Sequence, residues 1–272
     1  MQEQTNHAFH EVVIRAGHNT LSFTAMQPGA AGSIVHEPYM VKSGISMAAN
    51  LREAFRTSPL MQQSFVSACV VLDTPVIMVP REQFSEDTAP ELFAYSFPSK
   101  TDALILSEPI ESLNAVAVFG INRDLRLVID DHFPAATFRC AMSAVWRHIH
   151  RHNSSVVNNR LFAYFHEGLL DVFCFQKNRF KFCNQFEAPQ AADALYYLLS
   201  VWKNLMLNPD HDEVCIVGDL PQAYCPYGMA TDSRFQLDDE LRRYIRQVSA
   251  VRHSDETEET SVMPLDLTLL MK

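Results

Sequence analysis

The chain lacks any long uninterrupted apolar stretch: runs such as residues 70–72 and 104–106 fall far short of the roughly 20 residues that a membrane-crossing helix requires. Residues 1–9 are too polar for a secretory leader. Cys-x-x-Cys spacing is also missing. The six cysteines, at positions 69, 140, 174, 183, 215 and 225, each lie in or beside an apolar stretch, which excludes the zinc and redox motifs built on that spacing. They read as small buried hydrophobes, and a disulfide framework, which belongs to small secreted domains, is not expected. Nor is there an excess of basic residues. Lys and Arg number 22 against 32 Asp and Glu, and the net charge of −10 repels a phosphate backbone or an anionic membrane. Nucleic acid and direct membrane insertion are therefore not expected, and a soluble cytoplasmic protein is.

What is present suffices to bury real cores: 272 residues, 47% hydrophobic and 20% charged, are enough for one large domain or two of ordinary size. Strand character over residues 11–15, 20–26 and 34–41, with turns at Gly17-His18 and Pro28-Gly29, predicts a three-stranded meander. Met47, Ala48, Leu51, Ala54 and Phe55 then recur at helical spacing behind Ser46, a suitable N-cap, and residues 65–72 return to strand. Further on come short helical patches around Gln83 and over 90–95, and strands at 103–106 and 115–119. A helix over 122–132, a strand at 138–141 and a helix over 143–152 follow. The polar run at 152–155, with Asn158-Asn159 behind it, marks a boundary, so the expected domains are 1–155 and 156–272.

The second half repeats the order more clearly. Two-residue hairpin turns at Glu167-Gly168 and Lys177-Asn178 would set Phe162, Phe173 and Phe182 side by side across three strands, with Phe175 and Phe180 paired on the same face. Ala163, Val172 and Cys183 would line the other face, so both faces are apolar and the sheet should be covered on both. A helix is predicted from Pro189, carrying Ala191, Ala194, Leu195, Leu198, Trp202, Leu205 and Met206 on one face, with Asn208-Pro209 as its stop. A strand at 214–217, a helix over 241–248, an acidic loop at 253–260 and a closing strand at 265–270 complete the reading. Two βββαβ units with mixed sheets predict an α/β chain of the bilobed, actin-like (ribonuclease H-like) kind.

That order resembles the actin, Hsp70 and hexokinase-like superfamily, most of all its small bacterial members that act in pilus and secretion assembly, and is similar to one bacterial group known only as a domain of unknown function. The resemblance implies a nucleotide between the lobes, with an Asp and a Gly-rich turn on the first hairpin of each. There the glycines admit backbone N–H groups to the phosphates and the Asp positions the metal and attacking water. The second-lobe motif, Asp-x-Gly-Gly-Gly-Thr then x-Asp, falls on residues 164–171, where Tyr164 replaces the first Asp and only Gly168 and Asp171 match. In the first lobe Arg15 replaces the Asp and Gly17 keeps a glycine. The adenosine-contacting Gly-Gly turn reads Gly218-Asp219.

Magnesium-assisted phosphoryl transfer needs hard oxygen ligands, and both hairpin carboxylates are replaced. The resemblance thus implies an actin-like scaffold or interaction protein without catalytic residues, metal or cofactor, acting on a protein partner. The alternative is a divergent nucleotide-binding switch or ATPase that uses the inter-lobe cleft, with Gly17, Gly168 and Gly218 as backbone approaches and Asp171 as substitute carboxylate.

Other strings have chemical and structural readings. His148 and His152, four apart on one helix face within 147–152, have a zinc-chelating spacing, but no Glu lies between them, and a titratable helix end is the preferred reading. Asp130-Asp131-His132 is a polar helix end with no nucleophile tied to it. Asp212-Glu213, Asp238-Asp239-Glu240 and the acidic run at 255–259 read as loops or helix starts. Tyr224, Cys225, Pro226, Tyr227 and Met229 read as a packed loop beside the expected cleft.

Overall fold

The computed structural model describes residues 9–27, 33–100, 102–153, 158–218, 237–251 and 263–271. By compactness the chain divides into Met1–Trp146 with Glu258–Lys272, and Arg147–Thr257. The last stretch of chain therefore groups with the first unit, whereas the sequence suggested a single cut after residue 155.

In the first unit, β1 (Phe9–Ala16), β2 (Leu21–Met26) and β3 (Ile34–Tyr39) form the meander, α1 (Met47–Thr57) follows, and β4 (Phe65–Leu72) returns parallel to β1. Ser46 caps α1 by accepting from the Ala49 N–H, satisfying an end donor that would otherwise face no partner. Next comes a three-stranded antiparallel sheet, β5 (Val76–Pro80), β6 (Ala103–Ile110) and β7 (Ala115–Asn122), with α2 (Ala89–Ser96) between β5 and β6. Strand β5 was not foreseen, because five residues ending in proline carry little strand signal. α3 (Arg123–His132), capped by Asn122, leads into β8 (Thr137–Cys140), and α4 (Ala141–Asn153) contains the division between units.

The second unit repeats the scheme with β9 (Arg160–His166), β10 (Leu169–Gln176), β11 (Arg179–Glu187), α5 (Ala191–Asn204) and β12 (Glu213–Gly218). Then come α6 (Leu237–Arg242) and β13 (Gln247–Val251), while α7 (Leu265–Leu270) belongs with the first unit. The strand orders are β3-β2-β1-β4-β8 and β11-β10-β9-β12-β13. Each has an antiparallel meander on one side and parallel neighbours on the other, so the duplicated α/β reading with mixed sheets stands.

Both predicted hairpin turns form. Glu167, Gly168, Lys177 and Asn178 all have positive φ, as two-residue turns of matching twist demand. Phe173 lies opposite Phe162 and Phe175 opposite Phe180, but a bulge at Cys174/Phe175 shifts the rest of β11 by one, so Phe173 faces Cys183 and Val172 faces Asn184. Lys181 is the extra residue. Phe162, Phe173 and Phe175 are nonetheless buried, with His150 of α4 beside Phe175 at 5.6 Å between ring centroids. The opposite face, with Leu161, Ala163, Phe165 and Val172, packs on Ala194, Leu198, Val201 and Trp202 of α5 and Leu241 of α6.

Three element assignments change. α5 begins at Ala191 rather than Pro189, because Gln190 and Asp193 form a reciprocal capping box there. Met206, expected on its buried face, lies past the helix end, left-handed and exposed. The helix expected over 241–248 is helical only at 241–242, where α6 ends, and its last two residues open the strand β13; 265–270 is helix where a strand was predicted. In the latter, Leu267 and Met263 pack on Val13, Cys69 and Val71, a contact that rewards a helical stripe as readily as alternation.

Candidate functional site

Arg15 lies near the end of β1, in the apolar run Val-Val-Ile-Arg-Ala, where a charge can be buried only with partners. It has them. Its Nε donates to Asp266 Oδ2 at 2.8 Å, one terminal nitrogen to Asp73 Oδ2 at 3.2 Å and the other to Thr20 Oγ1 at 3.2 Å. All three charged side chains are at most 2% exposed. The positions follow from the pleat: Arg15 is paired with Val71 on β4, and Asp73, two residues further along, returns to the same face. Asp266 comes from the first turn of α7. Asp73 and Asp266 were not singled out from sequence. The usable signal was an arginine inside an apolar strand, which asks for a carboxylate on a neighbouring element.

Gly17 opens the same hairpin, and its N–H donates to the Thr20 carbonyl at 2.9 Å, so that donor is already engaged in the turn.

In the second unit Tyr164 is buried on β9, one rung before the last parallel pair, Phe165 with Gly218. Arg15 is likewise one rung before Ala16 with Leu72, so the two positions matched to the missing carboxylates are topologically equivalent. Tyr164 stacks on His166 with centroids 4.7 Å apart. His166 Nε2 donates to Asp171 Oδ2 at 2.5 Å, and Gln185 Nε2 donates to the same oxygen at 3.2 Å. His166 and Gln185 were not among the site candidates.

Gly168 supplies the hairpin's positive φ, and a side chain there would meet open space. Gly218 differs. At φ +83° its missing Cβ would sit 2.3 Å from the Phe165 carbonyl oxygen and 2.9 Å from the Tyr164 ring, so packing against β9 alone requires glycine. Asp219 and the segment from Tyr224 to Met229 lie outside the described residues, as do the Pro28-Gly29 turn and the acidic run at 255–259.

The side chains of the remaining strings make contacts within the fold. His152 Nδ1 donates to the His148 carbonyl at 2.8 Å, turning that imidazole onto its own helix end. Asp130 accepts both contacts of Arg126 Nε, at 2.8 and 2.7 Å, and His132 stacks on Phe55 at 4.2 Å. Asp212 accepts from the backbone of Asn159 and Asn208, fastening the start of β9 to the loop before β12. Glu213 pairs with Arg160 at 2.8 Å. Asp238 pairs with Arg242 on the exposed face of α6. Burial pushes the Cys174 and Cys215 thiols up to about 12, which suits the inert role expected of them.

A guanidinium repels a divalent cation, and the first-unit hairpin presents one, Arg15, at the rung where the resemblance implies a carboxylate. On the second-unit hairpin, Asp171 of β10 is held by His166 and Gln185.

Residues 2–248 match the family described as protein of unknown function (DUF3822). The chain belongs to that family. Among solved structures, a Bacteroides thetaiotaomicron VPI-5482 protein with an actin-like ATPase fold and unknown function is 22% identical to this DUF3822 chain. The TM-score is 0.81, and the match covers 100% of this chain and 98% of that one. The DUF3822 chain has the actin-like ATPase fold. The PilM-PilN type IV pilus biogenesis complex is 9% identical at TM-score 0.49, covering 96% and 97% of the two chains. The ethanolamine utilization protein EutJ from Carboxydothermus hydrogenoformans is 10% identical at TM-score 0.34, covering 88% and 83%. Neither of these two bears on the activity of this chain. No curated protein matches it. Among the described residues, no helix is long and apolar enough to cross a membrane.

Proposed function

We propose that this DUF3822 protein is a non-catalytic scaffold: an actin-like fold whose nucleotide site has degenerated and whose surface binds a protein partner. The observation that carries the reading is Arg15, which stands at the first-hairpin carboxylate position and is bound into the core by Asp73 and Asp266. Removing one member of such a buried ion pair typically costs about 3–5 kcal/mol, so Arg15 is committed to stability rather than poised for chemistry. Tyr164, its counterpart, is an aromatic packed on His166. Nucleotide, nucleic acid and membrane are not its ligands in this reading. It acts in the cytoplasm, where the free thiols of Cys69, Cys140, Cys174, Cys183 and Cys215 would stay reduced.

The divergent-switch reading relies on Gly17, Gly168, Asp171 and Gly218. It has less support, because the Gly17 N–H closes its own turn and Gly218 is required by its contact with Phe165. Phosphate release from ATP with magnesium separates the two. The scaffold reading expects release no faster than the uncatalysed background. Turnover above background that is lost in Asp171→Asn would overturn it.

A further inference from the structure

We propose that Arg15 is a resident cation: a covalent replacement for the divalent metal that this position of the fold would otherwise organise. The resemblance to the actin-like superfamily implies a carboxylate at the end of β1 that helps to position a metal ion. Here the sign at that position is inverted, and the carboxylates come from elsewhere. Asp73, just past β4, and Asp266, in the first turn of α7, both direct an oxygen at the one guanidinium, at 3.2 and 2.8 Å. Thr20 Oγ1, from the loop between β1 and β2, takes a third donor at 3.2 Å. Four separate pieces of the first unit, β1, its hairpin loop, the end of β4 and the C-terminal helix, thus meet on one buried positive charge.

Two carboxylates and a hydroxyl around a cation form an oxygen donor set of the type that hard divalent ions take. The chain meets that demand with a group that cannot dissociate, hydrolyse or exchange, because arginine keeps its charge at every physiological pH. A bound metal would make this end of the unit depend on ion concentration. Arg15 makes it independent, and the docking of α7 through Asp266 no longer responds to any ligand. The inference concerns the same residue as the scaffold reading but does not require it: ATP binding elsewhere in the protein would sink that reading and leave this one standing.

The test is thermal unfolding of the full chain in chelator and in millimolar manganese. For the wild type and for Arg15→Lys, which keeps a cation, the midpoint should not respond to manganese. Arg15→Ala should unfold earlier in chelator, and manganese should raise its midpoint by roughly 5 °C at about a hundredfold excess over its dissociation constant. Adding Asp266→Asn to Arg15→Ala should remove that response. If Arg15→Ala is unfolded in chelator, manganese should restore its folded-state circular dichroism. No gain from manganese in either assay, or a wild-type gain as large as that of Arg15→Ala, would overturn the proposal. A merely structural arginine predicts the destabilisation without the rescue.

Discussion

Gly218 ends β12 with its backbone in the left-handed region and its Cα against the carbonyl of Phe165. In a fold of this kind, a glycine after a hydrophobic strand invites interpretation as a nucleotide contact, yet the neighbouring strand already demands it. Gly218→Ala should therefore destabilise the ligand-free protein by at least about 2 kcal/mol, from backbone strain and from overlap with a backbone atom that has little room to move. Urea unfolding monitored by tryptophan fluorescence measures this directly. Unchanged stability would show that the glycine serves something other than packing. At this scale the sequence was readable where a residue type is rare in its setting. Arg15 and Tyr164 stood out as replacements at motif positions, but Asp73 and Asp266, the partners of Arg15, did not, because ordinary polar residues at element ends carry no mark of what lies across from them.

Elements were legible where local chemistry and tertiary packing agree. The β9-β10-β11 meander was readable down to its turns, and the single slip came at Lys181, where a bulge left both hairpins intact and moved one strand by a residue. The helix expected over 241–248 ran on into β13, and 265–270 was read as strand but is helix, because runs of five or six residues satisfy both periodicities and the neighbours decide. The packing of α3 on α1, and of β3 on β2, also sets a pH dependence. Burial lowers the pKa of His132, stacked on Phe55, below the ordinary 6.5. Burial and, secondarily, the Arg15 charge do the same for His36, hydrogen-bonded to Thr24. Both imidazoles take up protons more readily in the unfolded chain. Their contribution is thus complete above about pH 6.5 and is lost as the pH falls through the lower folded-state values. Urea midpoints should drop between pH 7.5 and 5.5, and His132→Phe, which keeps an aromatic ring on Phe55, should flatten part of that drop. Equal slopes in the two proteins would contradict the assignment.

For the whole molecule, the duplication is the fact that organises the rest. Two five-stranded sheets with the same strand order place Arg15 and Tyr164 on equivalent rungs, so in the proposed reading the replacement of the hairpin carboxylates is a matched pair of changes. The duplicated order was visible in the sequence because each βββαβ block has its own turns and amphipathic helix. The grouping of α7 with the first unit was not, since it depends on a contact between residues some 250 positions apart, Arg15 and Asp266. The central proposal is that these hairpins do not hold a magnesium-bound triphosphate. Isothermal titration of the full chain with ATP and magnesium at millimolar concentration tests it most directly. The account predicts no binding heat beyond dilution; a saturable isotherm that disappears when magnesium is withheld would contradict it.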